Sequence, residues 1–254
     1  MEILTTVMLA IFRKEINGFF STLTGYLVIA VFLVINSLFI WILPGEYNIL
    51  DTGYAGLDTL FILSPWIFLF LVPAITMKMI AEEKRTGTIE LVFSRPVTER
   101  SIVYGKFLAS VALVFLALLP GLIYFISVWL LGETPGNIDK GGTLGAFAGL
   151  FFLASVYASA GIFASSLTDN QVIAFIIAVL IALFMFAGFD SFAYLPGMKK
   201  IDEYFISLGI NEHYKSISRG VIDIKDMAYF IAVVIIFNEA TRLSLLSRKW
   251  RKRR

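Results

Sequence analysis

Two groups of ionisable residues in this sequence could do chemistry, and in both cases it is the chemistry of charge pairing. The first lies in the stretch 82–98, where Glu82, Glu83, Lys84, Arg85 and Glu90 stand beside apolar Ile89, Leu91, Val92 and Phe93. Apolar anchors ringed by both signs of charge suit a protein interface. A solvated loop lying on a bilayer is the competing reading. The second group is Glu239 and Arg242, three residues apart in an otherwise apolar run, a spacing that lets them pair along one helix face. An ionisable residue at membrane depth is costly and marks function by default. Two readings stay open for this intramembrane pair: a structural ion pair at a bundle interface, and a part in gating or subunit contact.

Bond-making chemistry is poorly supported. The chain has no cysteine, which excludes disulfides, thiolate catalysis and cysteine–metal sites. Its single histidine, His213, cannot build a zinc site of the usual spacing. No Gly-x-Ser-x-Gly elbow occurs, and no glycine-rich phosphate loop ends in Lys-Ser/Thr. No catalytic, cofactor-binding or metal-ligating residue is therefore expected.

The elements that position these groups are apolar helices. Of the 254 residues 58% are apolar and only 16% charged, where a soluble domain carries about 25% charge. With 24 Phe, so much apolar surface cannot hide in one water-soluble core. Spanning a hydrocarbon layer of about 30 Å takes about 20 apolar residues in a helix. Six such runs occur, at about 24–43, 59–77, 107–132, 143–168, 170–189 and 227–247. The second contains Pro65 and Pro73, so a kink is expected there. Only Asp169 separates the fourth from the fifth, which predicts an antiparallel hairpin with Asp169 as its solvated tip and helix cap. In the fourth, Gly141, Gly145 and Gly149 keep the small-x-x-x-small spacing that lets helices approach closely. The fold class is thus all-α, a polytopic membrane protein in a single domain over 1–254, with no cleavable leader expected.

Lysine and arginine set the orientation. Two precede the first helix, six lie between 78 and 106, and six follow 247, whereas the 44–58 loop has none and 133–142 only Lys140. Both termini and the 78–106 loop are accordingly placed in the cytoplasm. Net charge is only +2, and nothing in it calls for a nucleic-acid partner.

Within the cytoplasmic loop, Ile80, Glu83 and Lys84 sit at helical spacing, Gly87 can end that turn, and Thr88 offers an N-cap for a second short helix that Pro96 stops. In the outer loop between helices five and six, residues 190–196 can turn back at the surface. Short amphipathic helices are expected at 201–206 and 213–217.

The run Glu82-Glu83-Lys84-Arg85-Thr86-Gly87-Thr88-Ile89-Glu90-Leu91-Val92, followed by Ser94-Arg95-Pro96-Val97 and then Gly105-Lys106, resembles the hallmark of ABC-2 type transporter permeases. The six-helix, N-in, C-in arrangement matches that family too. A narrower resemblance, to the gliding-motility-associated permease subunit, rests on the segment 218–226 and on Thr241-Arg242-Leu243. The resemblance implies an inner (cytoplasmic) membrane protein of an ATP-driven exporter, or one that serves gliding motility or secretion. Its loop would be a coupling helix seated in a cytoplasmic ATP-binding subunit, with Glu82, Glu83, Arg85, Gly87, Thr88, Glu90 and Pro96 as docking positions. It implies an extracellular gate in the outer loop and a second permease subunit, the seam usually involving helices one and five. ATP would be bound by the partner, and this chain would be no enzyme. From a different class comes the alternative of a non-transporting scaffold or anchor of a motility machine.

Overall fold

The computed structural model describes residues 2–94, 97–133, 138–193, 206–220 and 223–251. The described residues form helices and connecting turns. Helix α1 (Glu2–Phe20) is followed by α2 (Leu23–Ser37), which continues as a wider π turn through Ile42, and by short α3 (Ile49–Thr52). Then come α4 (Asp58–Thr76), α5 (Lys78–Arg85) and α6 (Thr88–Phe93). Helix α7 (Glu99–Leu118) passes through a 3-10 turn at Pro120 into α8 (Leu122–Leu131). Helices α9 (Lys140–Leu167) and α10 (Gln171–Leu183) form the hairpin, a π turn leads to α11 (Phe189–Ala193), and α12 (Ile210–Ser218) precedes α13 (Ile224–Arg251).

Six helical runs are long and apolar enough to cross a membrane: Leu23–Ile42, Asp58–Arg85, Glu99–Leu131, Lys140–Leu167, Gln171–Ser191 and Ile224–Ser247. Helix α1 is not among them; no element was expected there from the sequence, and it packs along α7. The hairpin cap is Asn170 rather than Asp169, with its Oδ1 accepting the Val172 N–H at 2.9 Å. The 194–196 end of the expected outer turn, and nearly all of the expected 201–206 helix, lie outside the described residues.

Helix α9 is the hub. Its apolar stretch is 72% buried, against 22% for the span through α10, because its small residues admit neighbours on every side. A β-carbon on Gly161 would lie 2.0 Å from Thr76 Oγ1 of α4. One on Gly145 would lie 2.7 Å from Gly220 Cα, just past α12. The glycine stripe thus seats the outer helix α12, which folds back onto α9 and plants Tyr214 and Ile217 in the core.

That insertion answers a problem the sequence poses. Pro65 has no N–H, so the Phe61 carbonyl of α4 loses its intrahelical partner. Apolar surroundings offer no water to replace it. The Tyr214 hydroxyl donates to Phe61 O at 2.7 Å and satisfies it. Around this contact α12 is tied to its neighbours by Asn211 Nδ2 donating to Asp190 Oδ2 (2.6 Å), and by His213 between Asp226 Oδ1 (2.7 Å) and the Ser207 carbonyl (2.9 Å).

Tyr214→Phe should lower stability by about 1–3 kcal/mol, the cost of a buried carbonyl left unpaired. In a Pro65→Ala background, which restores the intrahelical donor, the same change should cost little. Thermal unfolding of the four proteins in detergent measures this coupling; additive losses would show that the hydroxyl does not serve the proline.

Candidate functional site

The loop singled out in the sequence is an elbow of two short helices, α5 and α6. Helix α5 begins where α4 breaks at Met77, and a residue of another helix caps it. Ser165 Oγ of α9 accepts the N–H groups of Ile80 (3.0 Å) and Ala81 (2.9 Å) and donates to Met77 O (2.8 Å). Helix starts leave such amides without partners, so α9 supplies what the local sequence lacks. One residue on, the Ser166 carbonyl accepts from Lys84 and from Ser244 Oγ of α13.

Two residues beyond the end of α5 stands Gly87, whose φ of +74° is left-handed. A β-carbon there costs roughly 1–2 kcal/mol. Gly87 also occupies the N-cap position of α6. Thr88, expected to be that cap, is therefore the first helical residue, and its hydroxyl points back to Glu83 O at 3.4 Å.

Of the expected docking residues, Arg85, Gly87, Thr88 and Glu90 are exposed and Glu82 is half-exposed. Leu91 projects among them at 69% exposure, while Ile89 is buried at 1% and anchors α6 to the core. Pro96 lies outside the described residues. Glu83 is different: it points inward and is 8% exposed.

Beneath the elbow Glu83 belongs to a cluster of four charges. Lys106 Nζ of α7, with its side chain 2% exposed, lies 2.6 Å from Glu15 Oε1, 2.9 Å from Glu83 Oε1 and 2.6 Å from the Met79 carbonyl. Lys14 Nζ lies 2.5 Å from Glu83 Oε1 and 3.7 Å from Glu15 Oε1. Two ammonium groups meet two carboxylates, and the three Lys106 donors have three acceptors. Burial works to lower the Lys14 pKa, but the hydrogen bond and charge of Glu83, with those of Glu15, raise it above the ordinary lysine value. Its stabilising contribution is lost as pH rises through the raised pKa, and at the acid end when its Glu83 partner takes a proton.

The adjoining glycine makes this contact possible. A β-carbon on Gly105 would lie 3.1 Å from Ile11 Cβ and from Met8 O, so its absence lets α1 lie against α7 and bring Glu15 to Lys106. The sequence reading put Gly105-Lys106 at the opening of the third helix. In the structure α7 starts at Glu99 under a Thr98 cap (Ser101 N–H to Thr98 Oγ1, 3.3 Å), so the pair sits about two turns inside. By charge counting alone Lys106 falls among the cations of the 78–106 loop; a charge two turns inside a capped helix is the signal that sets it apart.

The second group is also formed. Arg242 Nη1 donates to Glu239 Oε2 at 2.7 Å, and Arg100 Nε of α7 lies 3.6 Å from Glu239 Oε1. Arg100 stands in the first turn of α7, which puts Glu239 level with the start of that helix.

A six-span membrane protein whose basic face carries a rigid two-helix elbow has the build of a transporter's membrane subunit. The family model described as ABC-2 family transporter protein matches residues 6–245, and the chain belongs to that family of multi-pass permeases. The match is to the broad family and does not extend to the gliding-motility subgroup. No curated protein matches the sequence.

Lys106→Met leaves two carboxylates facing one lysine and should cost about 3–5 kcal/mol. Adding Glu15→Gln and Glu83→Gln should restore much of that loss. Thermal unfolding in detergent reads both; a triple variant no more stable than the single one would assign the loss to packing rather than charge.

Proposed function

We propose that this chain is the permease subunit of an ATP-driven exporter, sited in the inner membrane and coupled through the α5–α6 elbow to a separate cytoplasmic ATP-binding subunit. One observation carries the reading. The elbow has an outward face built for contact, Leu91 among Arg85, Thr88 and Glu90, and an inward face fixed to α1, α7 and α9 by Lys106 and Ser165. A partner that pushes on such an element moves the bundle rather than a loose loop.

In this reading the docking residues are Glu82, Arg85, Gly87, Thr88 and Glu90, grouped around Leu91, with Pro96 following in the sequence. Glu83 organises the element from beneath, since its carboxylate is held by two lysines. The basic termini and elbow face the cytoplasm. ATP is bound and hydrolysed by the partner, and this chain makes or breaks no bond. Closure of the ATPase pair shifts the elbow, the buried cluster passes the shift to α1 and α7, and access alternates at a seam with a second permease subunit, a copy or a homologue. Helices α2 and α10 suit that seam: Tyr26, Leu27 and Val34 on one, and Val172, Ile176 and Leu180 on the other, leave half or more of their surface uncovered. The Glu239–Arg242 pair with Arg100 ties α13 to α7 at the cytoplasmic boundary, a structural role on this reading.

Isolation of the solubilised chain from its native membrane should recover an ATP-binding protein. Arg85→Glu with Leu91→Asp should abolish the recovery at unchanged permease level, because both side chains are exposed and removing them leaves the core intact. Recovery of no ATPase by the unaltered chain would favour a scaffold or motility anchor. Retention by the variant would move the docking site elsewhere.

A further inference from the structure

Helix α12 is tied down by the chain's only histidine, and the two bonds of that ring demand a particular protonation state. His213 Nδ1 lies 2.7 Å from Asp226 Oδ1, and Nε2 lies 2.9 Å from the Ser207 carbonyl. A carbonyl and an ionised carboxylate only accept hydrogen bonds, and a neutral imidazole has a single N–H. With the ring neutral, one of the two contacts sets lone pair against lone pair. Both bonds form when both ring nitrogens carry hydrogen.

Two further features suit an imidazolium. The Tyr229 ring of α13 stacks on His213, with centroids 3.9 Å apart and planes 21° from parallel, and the face of an aromatic ring attracts a cation. Asp226 Oδ2 is buried without a hydrogen-bond partner among the described residues, so the carboxylate leans on His213 for compensation. Other ionisable groups around α12 are engaged or turned away. Glu212 and Lys215 of α12 are exposed, as are Asp223 and Lys225 around the start of α13. Asp190 of α11 pairs with Asn211, and the π turn before it has no ionisable residue. Asp58, Asp139 and Arg219 line a cleft at the far end of α12. Helix α9 brings only Lys140 at its start and the buried Tyr157.

We propose that His213 and Asp226 form a proton-operated latch on the face opposite the elbow, closed when the ring is an imidazolium and opened by loss of one ring proton to water. Closed, it pins α12 to α13 and to the Ser207 carbonyl. The next residue, Tyr214, satisfies the Phe61 carbonyl of α4, and Ile217 packs where a β-carbon on Gly149 would stand, so opening the latch weakens the seat of α12 on both helices. The closed latch binds one proton more than the open one, so its stability falls as pH rises through deprotonation of the ring. At the acid end the attraction goes when Asp226 itself takes a proton. Histidine is the side chain suited to change charge between about pH 5 and about pH 8.

A single histidine makes the test site-specific. The full chain, purified in detergent through a tag without histidine, is labelled with NMR-active nitrogen in that residue alone. At about pH 6 both ring nitrogens should be protonated, and by about pH 8.5 one proton should have left. Over the same range amide exchange in Ile210–Ser218, corrected for its intrinsic pH dependence, should quicken roughly tenfold, the worth of one charged hydrogen bond, with α7 unaffected. Asp226→Asn keeps both bonds without the extra proton, since its amide donates to Nδ1 while Nε2–H keeps the Ser207 carbonyl. This variant should hold α12 equally at both pH values, and His213→Gln should leave α12 fast-exchanging at both. A ring already neutral at about pH 6, or exchange in α12 indifferent to pH, would overturn the latch. So would an equal quickening in α7, which would mark a global loosening. Asp226→Asn that loosens with pH as the unaltered chain does, or is as loose as His213→Gln throughout, would also overturn it, as would His213→Gln that stays protected.

Discussion

The arrangement of this protein's basic face depends on one ammonium group in a place where an isolated charge could not stay. Lys106 Nζ is buried between carboxylates from α1 and α5 and a backbone carbonyl at the head of α5. An unpaired ion there would cost several kcal/mol in lost hydration, so each acceptor is a condition of the others' positions. Glu15 must come from α1, which requires α1 to lie on α7, which requires Gly105. Glu83 must come from α5, which requires α4 to break at Met77 and restart under the Ser165 cap. A chain of geometric necessities thus runs from one lysine to three helices.

The same logic of satisfying polar groups far from water governs the opposite face. Pro65 takes a donor out of α4, and Tyr214 returns one from a helix more than a hundred positions later. Tyr124 does similar service between α8 and α2, donating to Leu33 O at 2.7 Å and accepting from Ser37 Oγ at 2.7 Å. In water these bonds would be worth about 1 kcal/mol each and could be exchanged for solvent. Away from water there is nothing to exchange them for, and they fix which helix lies beside which.

Composition and charge spacing made the spans legible, because a run of about 20 apolar residues is a strong signal whatever it packs against. The elbow was legible too, from Gly87 and the alternation of charge with Ile89 and Leu91. What could not be read was direction. Glu82 and Glu83 are adjacent acids in the same short helix, yet one reaches solvent and the other a buried lysine, because consecutive helical residues point about 100° apart and only the tertiary partner says which way is in. Lys106 was mistaken for a loop cation for a related reason. Its helix starts at a Thr98 cap in polar sequence, where hydropathy alone sees no span. Helix α1 is not legible because it is not long and apolar enough to count as a span, and its stabilising contact, Glu15 with Lys106, joins residues far apart in the sequence.

The two kinds of packing suggest how an elbow of fourteen helical residues could act on six long helices. Surface ion pairs yield at a cost of about 1 kcal/mol or less, so a loop held by them would give way before it moved anything. A buried cluster that costs several kcal/mol to break transmits displacement instead. Helix α9, held by close backbone approaches at Gly145 and Gly161, cannot slide without opening gaps along its whole length. The spans through α2 and α10 are far less covered, with 28% and 22% of their apolar stretches buried against 72% for α9. On the proposed reading, force entering at the elbow leaves α9 with its α4 and α12 partners as one body. The movement then appears where packing within the chain is sparse, at the faces of α2 and α10.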